Sequence, residues 1–389
     1  MKVCKLIRTH SFKDIRVFEK EAISLKKLGY EVTIVAGKRH GKLFGPDRKP
    51  ISDTNFQKDA FVYKEVNFLT YNLAGGINQT SVNRMINSLK NNTQNYFIDK
   101  LYEKALSTNA DIYHAHELYT LYDAVQIKRF FKKRGKNVKV IFDAHELEGD
   151  SQLLKLLMKE VDHLITVSDS IKEIYQKRYP GIPITVIYNS PFYQKELIKD
   201  NTFNNSFVIA YEGAVTYEKG DPKRIIEISN ICKAKMANFR FEIFGFVIKA
   251  PKEQKVINAN PLIGCKWVDY KNLPKEFNKV HVGYIYFDIS VHNRKYAMPN
   301  KFFSYLNNGV PVVVNAATDM KRFVEKYECG IVINKANPTA EDYFKAFYRL
   351  YQDRVLLDKM SKNARKVMKE IYCWEKMEER LSKVYNSLK

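Results

Sequence analysis

Apolar residues follow two rhythms along this chain. Short apolar runs fall at residues 3–8, 31–36, 111–115, 138–143, 163–167 and 184–188. Between them apolar positions return every three or four residues, as at Ile15, Phe18, Ala22, Ile23 and Leu25, and again near 121–133. A short apolar run bounded by turn residues predicts a buried strand, and a period near 3.6 predicts a helix packed by one face. Gly29 supplies the stop after the first helix. Strands alternating with helices imply a parallel sheet covered by helices. The pattern pauses at 188–206, where Asn189-Ser-Pro and Asp200-Asn-Thr-Phe-Asn-Asn read as a linker. It then restarts with a strand at 207–212, a glycine-bearing turn, a helix at 222–233 and strands at 240–244, 280–285, 310–314 and 330–333. An amphipathic segment, 374–388, closes the chain. The pattern predicts an α/β protein of two doubly wound domains, 1–195 and 196–370, facing across a cleft. Residues 371–389 are expected to return as a helix onto the first domain.

A length of 389 residues suits two cores, and 45% apolar residues is ordinary for a globular chain. No window holds the eighteen or so uninterrupted apolar residues of a spanning helix. The opening Met1-Lys-Val-Cys-Lys-Leu-Ile reads as a first strand, not a signal peptide. Five scattered cysteines with no Cys-x-x-Cys pair fit a reducing cytoplasm. The formal charge of +22 changes the picture most, because excess Lys and Arg attract phosphate in nucleic acid, anionic lipid or a sugar nucleotide. With no RNA-recognition, zinc-finger or helix-turn-helix pattern, nucleic acid is not the expected partner.

Ligands of open parallel sheets bind beyond the carboxyl ends of the strands, which directs attention to four places. In Met298-Pro-Asn-Lys-Phe-Phe-Ser-Tyr-Leu-Asn-Asn-Gly, Pro299 begins a short helix that Gly309 stops. Asn300 and Lys301 then lie in its first turn, where free N–H groups and the dipole favour an anion. Gly213-Ala-Val-Thr-Tyr-Glu-Lys-Gly220 precedes the N-cap Asp221 and Pro222, so Lys219 also stands before a helix N-terminus. Ala115-His-Glu-Leu and Ala144-His-Glu-Leu each end a predicted strand, placing His116, Glu117, His145 and Glu146 on one side of the cleft. These four permit a metal set, but the spacing of zinc-binding helices is missing and no metal is expected. Asp14 and Arg16, after the first strand, serve as caps or as acceptor contacts. Arg294, in the basic loop His292-Asn-Arg-Lys295, can add a phosphate contact. The backbone of 264–274 borders a nucleotide base or Trp267 there belongs to the core, and the basic run 127–139 is a helix end over Phe130 and Phe131 or a membrane contact.

Together these residues resemble the retaining family 4 glycosyltransferases of GT-B fold (two Rossmann-like domains), in the Pro-Asn-Lys subgroup. The likeness runs through Leu28-Gly-Tyr-Glu-Val-Thr-Ile-Val35, Asp111-Ile-Tyr-His-Ala-His116, Phe142-Asp-Ala-His-Glu146, Val186-Ile-Tyr-Asn189, Tyr211-Glu-Gly213, Lys219-Gly220, Pro299-Asn-Lys301 and Trp374-Glu375. The resemblance implies a nucleoside-diphosphate sugar as substrate, no cofactor and no metal. It implies catalytic roles for His116, Lys219 and Lys301, and donor contacts from Gly213, Lys219, Arg294, Pro299, Asn300, Lys301 and Ser304. Asp14, Arg16, His145 and Glu146 fall on the acceptor side. Three departures stand out. The family's arginine after the first glycine is Ala214, its paired glutamates fall on Tyr296 and Ser304, and the glycine-rich turn after the first strand is missing. Without the second glutamate, the bidentate grip expected on ribose hydroxyls is lost.

The expected activity is transfer of a hexose-type sugar to a hydroxyl of a glycan, and the basic surface points to one linked to a polyprenyl diphosphate. An anionic membrane surface becomes an expected partner, and the inner face of the plasma membrane the expected location, in a capsule or O-antigen pathway. A nucleotide-sugar epimerase and a non-catalytic GT-B partner subunit are the alternatives. Vesicles of anionic lipid should co-sediment the protein at low ionic strength and release it as salt rises. Sedimentation indifferent to lipid charge and salt would exclude electrostatic docking.

Overall fold

The computed structural model describes residues 1–45, 49–195 and 206–389, and the chain forms two compact units. Unit 1 comprises Met1–Ile187 with Glu378–Lys389, and unit 2 comprises Tyr188–Met377. The division thus falls at 187/188 where the sequence pattern points to 195/196, and the return to unit 1 begins at Glu378 where the pattern points to 371. The Asp200-Asn-Thr-Phe-Asn-Asn part of the expected linker lies outside the described residues.

Unit 1 is built on strands β1 (Lys2–Ile7), β2 (Glu31–Lys38), β3 (Ala60–Tyr63), β4 (Val66–Asn72), β5 (Ile112–Ala115), β6 (Lys139–Ala144), β7 (His163–Thr166) and β8 (Ile184–Val186). Their order is β3-β4-β2-β1-β5-β6-β7-β8, parallel except for the edge strand β3, which pairs antiparallel with β4. Unit 2 carries β9 (Phe207–Val215), β10 (Phe239–Val247), β11 (Ile263–Lys266), β12 (Val282–Ile285), β13 (Val312–Val314) and β14 (Gly330–Val332). They lie in the order β11-β10-β9-β12-β13-β14, with every pairing parallel.

In each sheet the order reverses at one place, between β1 and β5 in unit 1 and between β9 and β12 in unit 2. Chain leaving the two neighbouring strands there departs to opposite sides, and a crevice opens at their carboxyl ends. The strands are apolar because both faces are covered: Val3, Leu6, Val32, Ile34, Val140 and Ile141 in unit 1 are buried, as are Ile209, Phe241, Val282 and Val313 in unit 2.

The helix Trp374–Asn386 spans the boundary of the two units. Within unit 2, Trp374 is fully buried and its N–H donates to Pro191 O at 2.7 Å. Within unit 1, Arg380 Nη1 donates to Val186 O at 3.0 Å, and the Tyr385 ring meets Tyr30 edge-on at 5.4 Å. All five cysteines are free thiols. Trp267 is 57% exposed beside Phe246, so it is not a core residue. No helix among the described residues is long and apolar enough to cross a membrane. Trp374→Ala empties a fully buried site and should cost about 3–5 kcal/mol of unfolding free energy in urea titrations. A loss below about 1 kcal/mol would show that this packing is not cooperative with the fold.

Candidate functional site

In unit 2, the chain leaves β9 through a turn at 216–220 in which Thr216 and Lys219 exchange backbone hydrogen bonds of 2.8 and 3.0 Å. Gly220 N donates to Tyr286 O at 3.0 Å, and Tyr284 Oη donates to Gly220 O at 2.8 Å. Glycine is required here, since φ is +81° and a Cβ would come within 2.8 Å of the Tyr211 ring. The turn leaves Lys219 exposed just before the helix Pro222–Lys235, whose N-cap Asp221 accepts from Lys223 N. Arg294 reaches the same turn through an ion pair with Glu218.

The helix Asn300–Asn307 is capped by Pro299, with Asn300 exposed and Lys301 in its first turn. Lys301 Nζ sits 3.5 Å from the centroid of the Tyr211 ring and 3.7 Å from where a Cβ on Gly213 would lie. A Cβ there would only touch the ammonium, so it is the φ of +99° that favours glycine at 213. Burial pushes the Lys301 ammonium down to about 7; Glu212 opposes the shift and Lys219 adds to it. Burial likewise raises the Glu212 carboxyl, which Lys301 and a hydrogen bond with the Ser304 side chain pull back down. Glu212 Oε2 is buried without a hydrogen-bond partner. Lys219, Lys301 and Arg294 are thus gathered with Glu212 and Glu218 at the carboxyl end of the central strand, where Arg294 and Glu218 pair with each other and the balance is positive.

Glu212 is the residue that the sequence pattern did not assign. Its signal was present in Tyr211-Glu-Gly213, a carboxylate next to a glycine at a strand's carboxyl end. Only the fold shows that it meets Ser304, where the family's glutamate is absent.

In unit 1, Asp14 caps the helix Ile15–Ala22, accepting from Arg16 N at 2.8 Å and Val17 N at 3.0 Å. The Arg16 guanidinium is buried; its Nε and Nη2 donate to Asp143 at 3.0 and 2.8 Å, and Nη1 donates to Ile187 O. Lys5 Nζ donates to Glu21 Oε2 at 2.7 Å and lies 3.1 Å from His114 Nδ1, which is 2.8 Å from Tyr385 Oη. His116 Nδ1 is 3.1 Å from His145 Nε2 and 3.5 Å from Asp143. The Nε2 atoms of His114 and His116 are buried without a hydrogen-bond partner. His10 meets the His145 ring edge-on at 4.8 Å. The fold therefore brings Arg16, His116 and His145 together around Asp143, with Asp14 joined to them through His10 at 3.3 Å, while Glu146 lies exposed.

Burial, reinforced by Lys5, holds both His114 and His116 well below the ordinary histidine range, so both are neutral. Burial alone would raise Asp143, but the Arg16 guanidinium together with His145 and His116 outweighs it, and the carboxyl is held well below its usual range. Ligand atoms of Glu21, His114, His116 and Asp143 lie within 4.8 Å of one another, as a metal set would. Lys5 and Arg16 already supply two positive charges to these two carboxylates. A divalent ion would have to displace Lys5 from Glu21, so this donor set fits a self-balanced network better than a cation. Of the quartet suggested by the repeated His-Glu pairs, His116 and His145 do meet, whereas Glu117 accepts from Arg8 N and Thr9 N at 3.0 and 2.8 Å.

A cavity of about 750 Å³ opens beside this network, lined by Arg8, Arg39, Leu73, Glu117, Tyr119 and Glu148 among others. Asp14, Arg16, His145 and Glu146 are not part of its lining.

Acid should weaken unit 1 in a defined window. His114, His116 and His163 resist protonation in the fold but accept protons near pH 6.5 once unfolded, so the unfolded state binds more protons. Stability is then complete above about pH 6.5 and falls as pH drops. His10, raised by Asp14 against its own burial, opposes this only in part. Urea midpoints should decline from pH 7 to 5.5, and less steeply in His116→Asn; a flat profile would contradict neutral buried histidines.

Comparison with known proteins agrees with this fold. Residues 16–190 match Glycosyltransferase Family 4, and residues 220–371 match the Glucosyltransferase 3-like, C-terminal domain. No curated protein sequence matches the chain. Among solved structures, HepE from Anabaena in complex with UDP and glucose is similar at TM-score 0.69 and 11% identity, covering 100% of both chains. Sucrose-phosphate synthase from Thermosynechococcus elongatus is similar at TM-score 0.66 and 14% identity, covering 100% of this chain and 99% of its own. The lipopolysaccharide outer core galactosyltransferase WaaB is similar at TM-score 0.65 and 14% identity, with the same coverage. Residues 16–190 thus form a Glycosyltransferase Family 4 domain, and the chain is a glycosyltransferase of GT-B fold.

Proposed function

We propose that this enzyme moves a hexose-type sugar from a nucleoside diphosphate to a hydroxyl of a glycan acceptor, with retained anomeric configuration and no metal. The observation that carries this reading is the placing of two lysines at helix starts beside β9, Lys219 exposed in the turn before the helix Pro222–Lys235 and Lys301 in the first turn of the helix Asn300–Asn307 with its Nζ 3.5 Å from the Tyr211 ring centroid. Two cations beside a helix N-terminus match a diphosphate, which carries charge on both phosphoryl groups. Two proteins of this fold were solved with such ligands: HepE with UDP and glucose, and an E. coli trehalose-6-phosphate protein with UDP-2-fluoroglucose.

On this reading Gly213, Pro299 and Asn300 give backbone and amide contacts to the donor, and Arg294 and Ser304 complete its site. The bond from sugar C1 to the diphosphate oxygen breaks, and the electron pair leaves with that oxygen. Lys219, Lys301 and the first-turn N–H groups stabilise the developing charge. The acceptor oxygen bonds to C1 from the face the diphosphate leaves, and its proton passes to a diphosphate oxygen. His116 keeps the sugar-orienting role that the family resemblance gives it. The unit 1 cavity takes the acceptor, next to the network of Asp14, Arg16 and His145.

The acceptor we favour is a glycan on polyprenyl diphosphate at the cytoplasmic membrane face, in synthesis of a bacterial surface polysaccharide. The +22 charge and the shared fold of WaaB support this choice.

Sugar transfer should proceed in the presence of EDTA. Lys219→Ala and Lys301→Ala should each lower turnover by about 10²–10³-fold, the scale for losing one group that stabilises developing charge. Unchanged turnover in both variants would overturn the site assignment.

A further inference from the structure

The imidazole of His116, to which the resemblance gives a ligand, is closed off. Its side chain is 0% exposed, with Nδ1 turned to His145 and Asp143 and Nε2 buried. His145, at the other end of the 3.1 Å contact between the two rings, keeps 17% of its side chain exposed. Any effect of His116 on a ligand must therefore pass through His145.

Asp143 sits between the two histidines. β5 and β6 are parallel neighbours with Ala115 opposite Phe142, so His116 and Asp143, the next residue of each, come side by side. Arg16 donates to both Asp143 oxygens, Nε to Oδ2 at 3.0 Å and Nη2 to Oδ1 at 2.8 Å, a fork that allows the carboxylate one orientation. Oδ2 then lies 3.3 Å from His145 Nε2 and 3.5 Å from His116 Nδ1. An ionised carboxylate only accepts, so the nearer nitrogen, His145 Nε2, carries a proton. That N–H points inward, to Asp143 and to a bare Nδ1 on His116, whose own proton then sits on Nε2, 4.0 Å from Glu21 Oε2. In its neutral form His145 is left with a bare Nδ1. Among the described residues that Nδ1 has no hydrogen-bond partner, and it is not closed off from solvent.

We propose that Asp143, clamped by Arg16, is a positioning residue of unit 1 that holds His145 with Nε2–H inward, so that Nδ1 accepts a hydrogen bond from a hydroxyl of the acceptor. This rests on the acceptor reading given above. A bare nitrogen only accepts, so it selects a group that donates, and in a sugar that group is a hydroxyl. The hydroxyl is a neighbour of the attacking one, whose proton still goes to the diphosphate. His145 does not line the unit 1 cavity, so it meets the part of the acceptor that leads out of it. His116 backs His145 from inside, which lets a fully buried imidazole bear on the ligand.

NMR of protein labelled in its histidine nitrogens reads the tautomer of each ring, and His145 is identified by its loss in His145→Gln. At pH 8 the wild type should show the Nε2–H form at His145. In Asp143→Asn the amide oxygen faces Arg16 and the amide N–H faces His145, so the tautomer should switch to Nδ1–H. Carbethoxylation by diethyl pyrocarbonate, mapped by mass spectrometry, should modify His145 before His114 or His116. That modification should be lost in Asp143→Asn and slowed in the wild type by p-nitrophenyl glucoside. An Nδ1–H form in the wild type, a tautomer unmoved in Asp143→Asn, or modification of His116 ahead of His145 would each overturn the proposal. If the tautomer switches but the glycoside gives no protection, the role of Asp143 stands and the acceptor reading falls. Should Asp143→Asn not fold, Arg16→Lys, which keeps the charge but loses the fork, should give both tautomers at His145. A pure Nε2–H form there would overturn the clamp.

Discussion

Parallel pairing is the constraint from which the rest of this molecule follows. When every strand of a sheet runs the same way, all the carboxyl ends gather on one edge, and each must be followed by a turn there. Where strand order reverses, between β1 and β5 and between β9 and β12, the neighbouring crossovers leave to opposite faces of the sheet and a crevice opens at that edge. The residues that follow these strands, Arg8–His10 and His116–Glu117 in unit 1 and the 216–220 turn in unit 2, meet at those places. Chemistry collects there because topology leaves room for it.

The two crevices treat charge in opposite ways. In unit 1 the buried ions satisfy one another, Lys5 with Glu21 and Arg16 with Asp143, and the histidines between them are neutral. Breaking one partner of such a network leaves the other unpaired and costs about 3–5 kcal/mol, so it fixes geometry more than it attracts a ligand. In unit 2 the sum does not close. Lys219 and Lys301 exceed Glu212 by one charge, and Lys301 has been drawn out of water to meet a ring and a glycine. On the donor reading proposed above, an arriving polyanion would complete that site, whereas it would disrupt the first.

Much of this was legible in the sequence wherever local signals decide. The apolar runs marked β1, β2, β5 and β6, and Pro299 and Asp221 marked helix starts that the structure shows. The hairpin β3–β4 was not legible: Lys64 and Glu65 turn it at φ +47° and +61°, without the Asn-Gly signal such turns ordinarily carry. Arg16 looked like a cap or an acceptor contact because its partner Asp143 lies 127 residues away. Lys5 and His114, 109 residues apart, pose the same difficulty. Lys219 and Lys301 could be named because a helix start is a local pattern. Glu212 could not, since its meaning comes from Ser304 and Lys301 on a different element. Sequence shows the groups; the sheet order decides which of them share a field.

The central claim is that unit 2 holds a nucleoside diphosphate through Lys219 and Lys301, and thermal unfolding with UDP, GDP and CMP and their sugar conjugates, in EDTA, tests it most directly. A matching nucleotide at a hundredfold its dissociation constant should stabilise the protein by about 2.7 kcal/mol, seen as a clear rise in Tm. The rise should vanish in Lys301→Ala. A wild type indifferent to every nucleotide, or a shift that survives in Lys301→Ala, would contradict the account.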